Sequence, residues 1–224
     1  MRWGIMGTGG VANAFAEALR DVPNAELLEV GSRDIERARS FADRHGSPLT
    51  GASTYEALVG RPDVDVVYVA TPASHHYEHA VAALRAGKHV LCEKPFAMNA
   101  AEARGMVGEA EDRGLFLMEA MWCRFLPSYA EIRQLVAEGA VGGVLAVDGS
   151  SGTRAEFNPR TRPFQPEFGG GALYDAAVYP VSFAQMILGP LDRVSGVGTI
   201  GASGVDEQCV VTGRAAGGLL VIGR

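Results

Sequence analysis

Several groups of residues in this 224-residue chain carry side chains able to act on a bound molecule. The run Gly87-Lys88-His89-Val90-Leu91-Cys92 has the apolar character of a buried strand and stops abruptly in Glu93-Lys94-Pro95. A lysine fixed just past a strand by a following proline stands where open α/β sheets hold their ligands. The plainer alternative is a surface ion pair between Glu93 and Lys94, which would contribute little. Near the start, Gly7-Thr8-Gly9-Gly10-Val11-Ala12 fits G-x-G-x-x-A between a predicted strand and a predicted helix. Glycines there permit a tight turn and close approach of the backbone to a pyrophosphate, and the helix N-terminus offers free N–H groups to the anion.

The residues after the second predicted strand bear on which dinucleotide binds. An NAD site presents an acidic group there for the ribose hydroxyls. This chain reads Gly31-Ser32-Arg33-Asp34, with Arg37 one turn into the next helix. A hydroxyl and guanidinium groups suit a 2′-phosphate, because a charged acceptor gains more from a guanidinium than a neutral hydroxyl does. NADP is therefore favoured over NAD. The alternative makes Asp34 the ribose ligand and Arg33 a solvated arginine. Farther on, Gly169-Gly170-Gly171-Ala172-Leu173-Tyr174-Asp175-Ala176-Ala177-Val178-Tyr179-Pro180 places Asp175 and Tyr179 four apart, on one face of a helix. Pro180 disfavours helical geometry at Tyr179, so a kink or restart is expected there. Read by itself, this segment also allows Tyr179 as a core residue and Asp175 as a solvated one.

The elements that position these groups follow from periodicity. Short apolar runs alternate with helical patterns through the first half, which predicts a parallel sheet. Strands are expected at Arg2–Met6, Ala25–Ser32, Val64–Ala70, the run ending at Cys92, and Leu115–Met118. The first helix should turn Val11, Phe15, Ala18 and Leu19 inward and close before Pro23. The second should be capped by Asp34, bury Ile35, Ala38, Phe41 and Ala42, and end at Gly46. Asn99 with Glu102 resembles a capping box. Gly7, Arg33, Thr71-Pro72, Glu93-Lys94 and Glu119 then all fall at the carboxyl ends of separate strands, whereas random surface residues would scatter over both ends.

After Glu119 the texture changes. A helix at Ser128–Glu138 leads into glycine-rich, β-branched runs at Gly143–Ser150, Arg193–Ile200, Asp206–Thr212 and Leu219–Ile222, interrupted by one helical stretch at Ala172–Leu188. The expected architecture is a Rossmann doubly wound parallel sheet (residues 1–122) followed by an α+β domain with an open, mostly antiparallel sheet (residues 123–224).

Composition narrows the class. Apolar residues make up 47% and charged residues 21%, ordinary for a globular protein. A formal net charge of −6 without a basic run argues against a nucleic-acid binder. No apolar run approaches membrane-spanning length, and a first strand beginning at Met1 leaves no room for a signal peptide. Cys92, Cys123 and Cys209 lack metal-ligand spacing and read as thiols in a reducing compartment. A cytoplasmic protein without a metal site is expected.

Taken together, the residues resemble the glucose–fructose oxidoreductase and inositol dehydrogenase family, Gfo/Idh/MocA, over essentially the whole chain. The markers are Gly7-x-Gly9-x-x-Ala12, Ala70-Thr71-Pro72 with His76, and Gly87-Lys88-His89-Val90 through Glu93-Lys94-Pro95. Glu119-Ala120-Met121-Trp122-Cys123-Arg124-Phe125-Leu126-Pro127, the triple-glycine segment and Tyr179 point to the branch of NADP-dependent dihydrodiol and D-xylose dehydrogenases. The resemblance implies a catalytic Lys94 and Tyr179, with Asp175 near the substrate. It places His76 near the cofactor, and lets Trp122 and Arg124 wall the nicotinamide pocket; for His76 a solvated helix-end residue, and for Trp122 interdomain packing, remain alternatives. His75 and His79 are left as surface residues. The implied reaction moves a hydride between a nicotinamide and a secondary alcohol or hemiacetal carbon of a sugar or cyclic diol. The other readings are an NAD-linked polyol dehydrogenase and a catalytically silent dinucleotide-binding regulator.

Members of the family continue past the point where this chain stops, at Arg224. The last strand is accordingly expected to be an unpaired, apolar edge, and a homodimer is expected only with a complete second domain.

Overall fold

The computed structural model describes residues 1–45 and 50–215, and the backbone of 218–223. Met1–Ala120 and Met121–Arg224 form two compact units, dividing two residues before Trp122.

The first unit alternates strand and helix: β1 (Arg2–Met6), α1 (Gly10–Leu19), β2 (Glu26–Gly31), α2 (Ile35–His45), β3 (Gly51–Ser53), α3 (Tyr55–Gly60), β4 (Val66–Val69), α4 (His76–Arg85), β5 (His89–Cys92), α5 (Ala100–Arg113) and β6 (Leu117–Glu119). The strands lie in the order β3-β2-β1-β4-β5-β6, each pair parallel. This is the doubly wound sheet expected. Its order reverses between β1 and β4, where ligands of such sheets bind. Side chains alternate across the strands. Met6, Val67, Val69 and Val90 pack with Leu58, Leu84 and Met106 on one face. Ile5, Val30 and Tyr68 pack with Ala12, Ala16 and Phe41 on the other. All four residues of β4 are buried.

Local signals explain the ends. Asp34 Oδ1 accepts from the Glu36 and Arg37 amides and caps α2, a contribution of about 1 kcal/mol. Asn99 Oδ1 accepts from the Ala101 and Glu102 amides, while Glu102 reaches back to the Met98 amide. At the opposite end of the sheet from the glycine turn, the Lys88 ammonium donates to the Arg61 and Val64 carbonyls.

Several expectations need correction. The inward face of α1 is Ala12, Ala16 and Leu19, with Phe15 half-buried; Val11 and Ala18 are exposed. The seam therefore starts one residue later, where Ala12 lets the helix approach the sheet. The pair β3–α3 was not anticipated, because Gly51-Ala52-Ser53 carries no large apolar residue. Gly46 lies outside the described residues.

The second unit contains a short helical turn at Trp122–Phe125, α6 (Pro127–Ala137), β7 (Ala146–Ser150), a π-helical turn at Leu173–Ala177, α7 (Val178–Leu188), β8 (Leu191–Ile200), β9 (Asp206–Ala215) and β10 (Gly218–Gly223). The kink or restart expected at Tyr179 is absent: the π-helical turn runs through Ala177 and Val178 in helical geometry into α7, and Tyr179 and Pro180 lie within that helix. The sheet order is β7-β10-β9-β8. β10 pairs parallel to β7 and antiparallel to β9, and β8 is antiparallel to β9. β10 is therefore interior rather than the edge expected, because the chain returns to insert it between β7 and β9. Ala184 and Leu188 of α7 pack on Val147, Cys209 and Val211. Val194, Val197, Ile200 and Val210 are exposed. Among the described residues, no helix is long and apolar enough to cross a membrane.

Candidate functional site

The glycine turn joins β1 to α1. Gly7 has φ +105°, and a Cβ there would stand 2.7 Å from the Ala70 carbonyl oxygen, so no other residue fits. Its amide donates to the Gly31 carbonyl at 2.9 Å, tying the turn to β2. A Cβ on Gly9 or Gly10 would meet nothing within 4 Å, so their exposed side is open. Gly9 starts α1 with no side-chain cap, which leaves the first amides of the helix and its positive end to a ligand. Thr8 is half-buried between these glycines. These features fit the pyrophosphate of a dinucleotide.

At the end of β2, Ser32 is buried and its Oγ accepts from the Asp34 amide at 3.2 Å. Arg33 and Arg37 are exposed. Both act on one group: burial pushes the Tyr55 phenol up, while Arg33 and Arg37 pull it the other way. The two guanidiniums thus share a corner with Tyr55, whose ring also packs under Gly31. Asp34, the alternative ribose ligand, has one oxygen committed to the start of α2.

Thr71 and Pro72 follow β4. The Thr71 hydroxyl bonds His79 Nδ1 at 2.9 Å. His76, the first residue of α4, is 1% exposed, which removes the solvated reading. Its ring nitrogens lie 2.8 Å from the Pro95 carbonyl and 2.9 Å from the Thr71 carbonyl, bridging the turns after β5 and β4. His79 is not the surface residue expected. Its ring packs 4.7 Å from that of Tyr55, and burial lowers its pKa to about 4.

The lysine turn leaves β5 through a cis Lys94–Pro95 bond. Glu93 is no surface ion-pair partner: Oε1 accepts from the Tyr68 phenol at 2.5 Å and Oε2 from the Lys94 amide at 3.1 Å. Lys94 itself is half-buried. Glu119, at the end of β6, accepts from the Phe96 amide at 3.0 Å. All these ends belong to parallel strands, so the glycine turn, Ser32-Arg33, Thr71-Pro72, Glu93-Lys94 and Glu119 share the carboxyl edge of one sheet.

In the second unit, the Trp122 indole N–H donates to Tyr179 Oη at 3.3 Å, with the rings edge to face. Trp122 is 58% exposed, which leaves most of its indole open to a ligand. Tyr179 is half-buried on the first turn of α7, and Asp175 is exposed on the π-helical turn. The Arg124 guanidinium donates to Ser182 Oγ at 2.9 Å and to the Ser182 carbonyl at 3.2 Å, fastening the turn before α6 to α7. Among the described residues, no three His, Cys, Asp or Glu side chains gather as metal ligands. Tyr55, Tyr68 and Ser182 were not singled out from the sequence; only a polar atom in the apolar run Val64–Ala70 hinted at Tyr68.

Residues 1–121 match the family described as an oxidoreductase family with an NAD-binding Rossmann fold, and residues 129–223 match the GFO/IDH/MocA C-terminal domain. The chain is 38% identical over 223 residues to trans-1,2-dihydrobenzene-1,2-diol dehydrogenase of Mus musculus, covering 98% of this chain. It is 40% identical over 210 residues to that of Xenopus laevis, covering 92% of this chain. It spans 66% and 63% of the lengths of those relatives. Among solved structures, a levoglucosan dehydrogenase in complex with NADH and levoglucosan is similar with a TM-score of 0.91 at 27% identity, over all of this chain and 67% of that one. A 3-ketoreductase from Actinomadura kijaniata with NADP and TDP-benzene gives 0.87 at 31%, over all of this chain and 70% of that one.

Proposed function

The chain belongs to the Gfo/Idh/MocA family of oxidoreductases, and from that premise we propose that it is an NADP-linked dehydrogenase of secondary alcohols, acting on a D-xylose-like aldose or a trans-dihydrodiol. The observation that carries the reading is the gathering of the glycine turn, Ser32-Arg33, Thr71-Pro72 and Glu93-Lys94 at one edge of a parallel sheet. The relatives act on a dihydrobenzenediol by name, which favours the diol or a sugar of similar shape.

In this reading Gly7, Thr8, Gly9 and Gly10 with the start of α1 hold the pyrophosphate. Ser32, Arg33 and Arg37 hold the 2′-phosphate, and the engagement of Asp34 as a helix cap supports NADP over NAD. His76 and Glu93 shape the cofactor cleft from beneath through the backbone, beside Thr71 and Pro72. A nicotinamide, when bound, accepts or returns the hydride. Tyr179 exchanges the hydroxyl proton of the substrate, its oxygen oriented by the Trp122 indole. Lys94 is the second residue assigned to catalysis, its ammonium a donor to the substrate oxygen. Asp175 and Trp122 contact the substrate, and Arg124 supports the cofactor side of that wall through its hold on Ser182. The exposed sheet face carrying Val197 and its cross-strand neighbour Val210 suits a second copy of the chain in a homodimer.

NADP reduction across a panel of aldoses and diols, with NAD in parallel, tests the reading. Tyr179→Phe should lower kcat by about 10³-fold while NADP affinity, followed by fluorescence titration, stays within about twofold. Equal turnover in the variant, or no reduction with any substrate, would overturn it.

A further inference from the structure

The turn that carries Lys94 is held by side chains. The Lys94 amide donates to Glu93 Oε2, the Pro95 carbonyl meets His76 Nδ1, and the Phe96 amide donates to Glu119 Oε1. His76 and Glu119 reach in from α4 and from the end of β6, so each brings its own support. Glu93 is part of the turn. Its carboxylate can steady the Lys94 amide only if another group steadies the carboxylate.

Tyr68 does so. Its phenol donates to Glu93 Oε1 at 2.5 Å. The ring is 2% exposed and stacks on Phe15 of α1, with centroids 3.9 Å apart and planes inclined by 22°; Phe15 in turn meets Trp3 edge-on. Burial, and then the Glu93 charge, push the phenol up, so it keeps its proton and remains a donor. A strand buried on both faces needs no hydroxyl, and phenylalanine would fill the same stack. The oxygen therefore has a purpose other than packing.

We infer that Tyr68 is a positioning residue for Lys94: its phenol fixes the Glu93 carboxylate, which fixes the Lys94 amide, so that the stance of the lysine turn is set from the helix that follows the glycine turn. The inference rests on the reading of Lys94 as a residue of the dehydrogenase reaction.

Tyr68→Phe keeps the ring and removes one O–H. In the full chain, the Lys94 amide should exchange with deuterium about tenfold faster, while the amides of Ile5 and Val67 keep their protection. NADP-linked kcat should fall about tenfold, with KM and NADP affinity within about twofold. Glu93→Gln presents one acceptor where two donors wait, and should speed Lys94 exchange in the same way should Tyr68→Phe not fold. Unchanged exchange at Lys94, or faster exchange spread evenly over the whole sheet, overturns the inference. So does an unchanged kcat in Tyr68→Phe when the parent is active. A parent that oxidises nothing sinks the dehydrogenase reading instead, and the exchange rates still decide whether Tyr68 sets the turn.

Discussion

The two units bury their sheets differently. In the first, helices cover both faces, and β4 has no exposed residue. In the second, α7 covers one face, and β9 alternates buried and exposed residues along most of its length. The difference determines where chemistry can reside. A strand packed on both sides has only its ends to offer, and the candidate groups of the first unit gather at the carboxyl ends of its strands and the starts of the helices that follow. The second unit instead presents Trp122, Asp175 and Tyr179 from helical turns and the start of α7 rather than from its strands.

This contrast gives unequal costs to deletions in the two cores. Phe41, 0% exposed, is packed against α1 and β2, and Phe41→Ala should destabilise the first unit by about 3–5 kcal/mol. Val211 is 9% exposed beneath α7, and Val211→Ala should cost the second about 1–2 kcal/mol. Trp3 lies in the first unit and Trp122 in the second, so urea titrations of single-tryptophan variants report each separately. Equal costs would mean that the one-sided core is as tightly built as the two-sided one.

A smaller effect sharpens the comparison at a strand end. Asp34→Ala removes the cap of α2 and should cost the first unit about 1 kcal/mol in the same titration. NADP affinity should change less than stability, because the guanidiniums of Arg33 and Arg37 remain. A larger loss of NAD than of NADP binding would show the carboxylate touching the ribose.

A further effect is set by acid. All five histidines lie in the first unit. Burial holds His79 at about 4, below its ordinary 6.5. Unfolded chains therefore bind the proton first. The stabilisation is whole above about pH 6.5 and is lost as the pH falls towards 4. The urea midpoint reported by Trp3 should fall across that range, and His79→Phe should flatten part of the fall. An equal fall reported by Trp122 would assign the acid sensitivity elsewhere.

Much of the first unit was legible because its strands are apolar runs cut off by Gly7, Ser32, Thr71, Glu93 and Glu119. Such stops read directly as the carboxyl edge of a parallel sheet. What escaped depends on contacts that sequence spacing does not encode. Tyr68 meets Glu93 because β4 and β5 pair with Val69 opposite Cys92, a register that no local signal sets. His79 seemed superficial because its partners, Thr71 and Tyr55, come from two other segments. The seam of α1 starts one position after Val11 because alanines, small enough to approach the sheet, face it. In the second unit the strands were recognisable but their order was not, since β-branched alternation says which face is buried and nothing about the neighbour.

That order bears on how the protein is made. Every described strand of the first sheet has been synthesised by Glu119, so that sheet can close while the second unit is still being translated. In the second, β7 is synthesised before β8 and β9 but pairs with β10, which follows both. Nascent β7 thus waits with its hydrogen-bonding groups unmatched until its partner arrives. The pairing that completes the second sheet is therefore the more non-local of the two, the kind of contact that forms late.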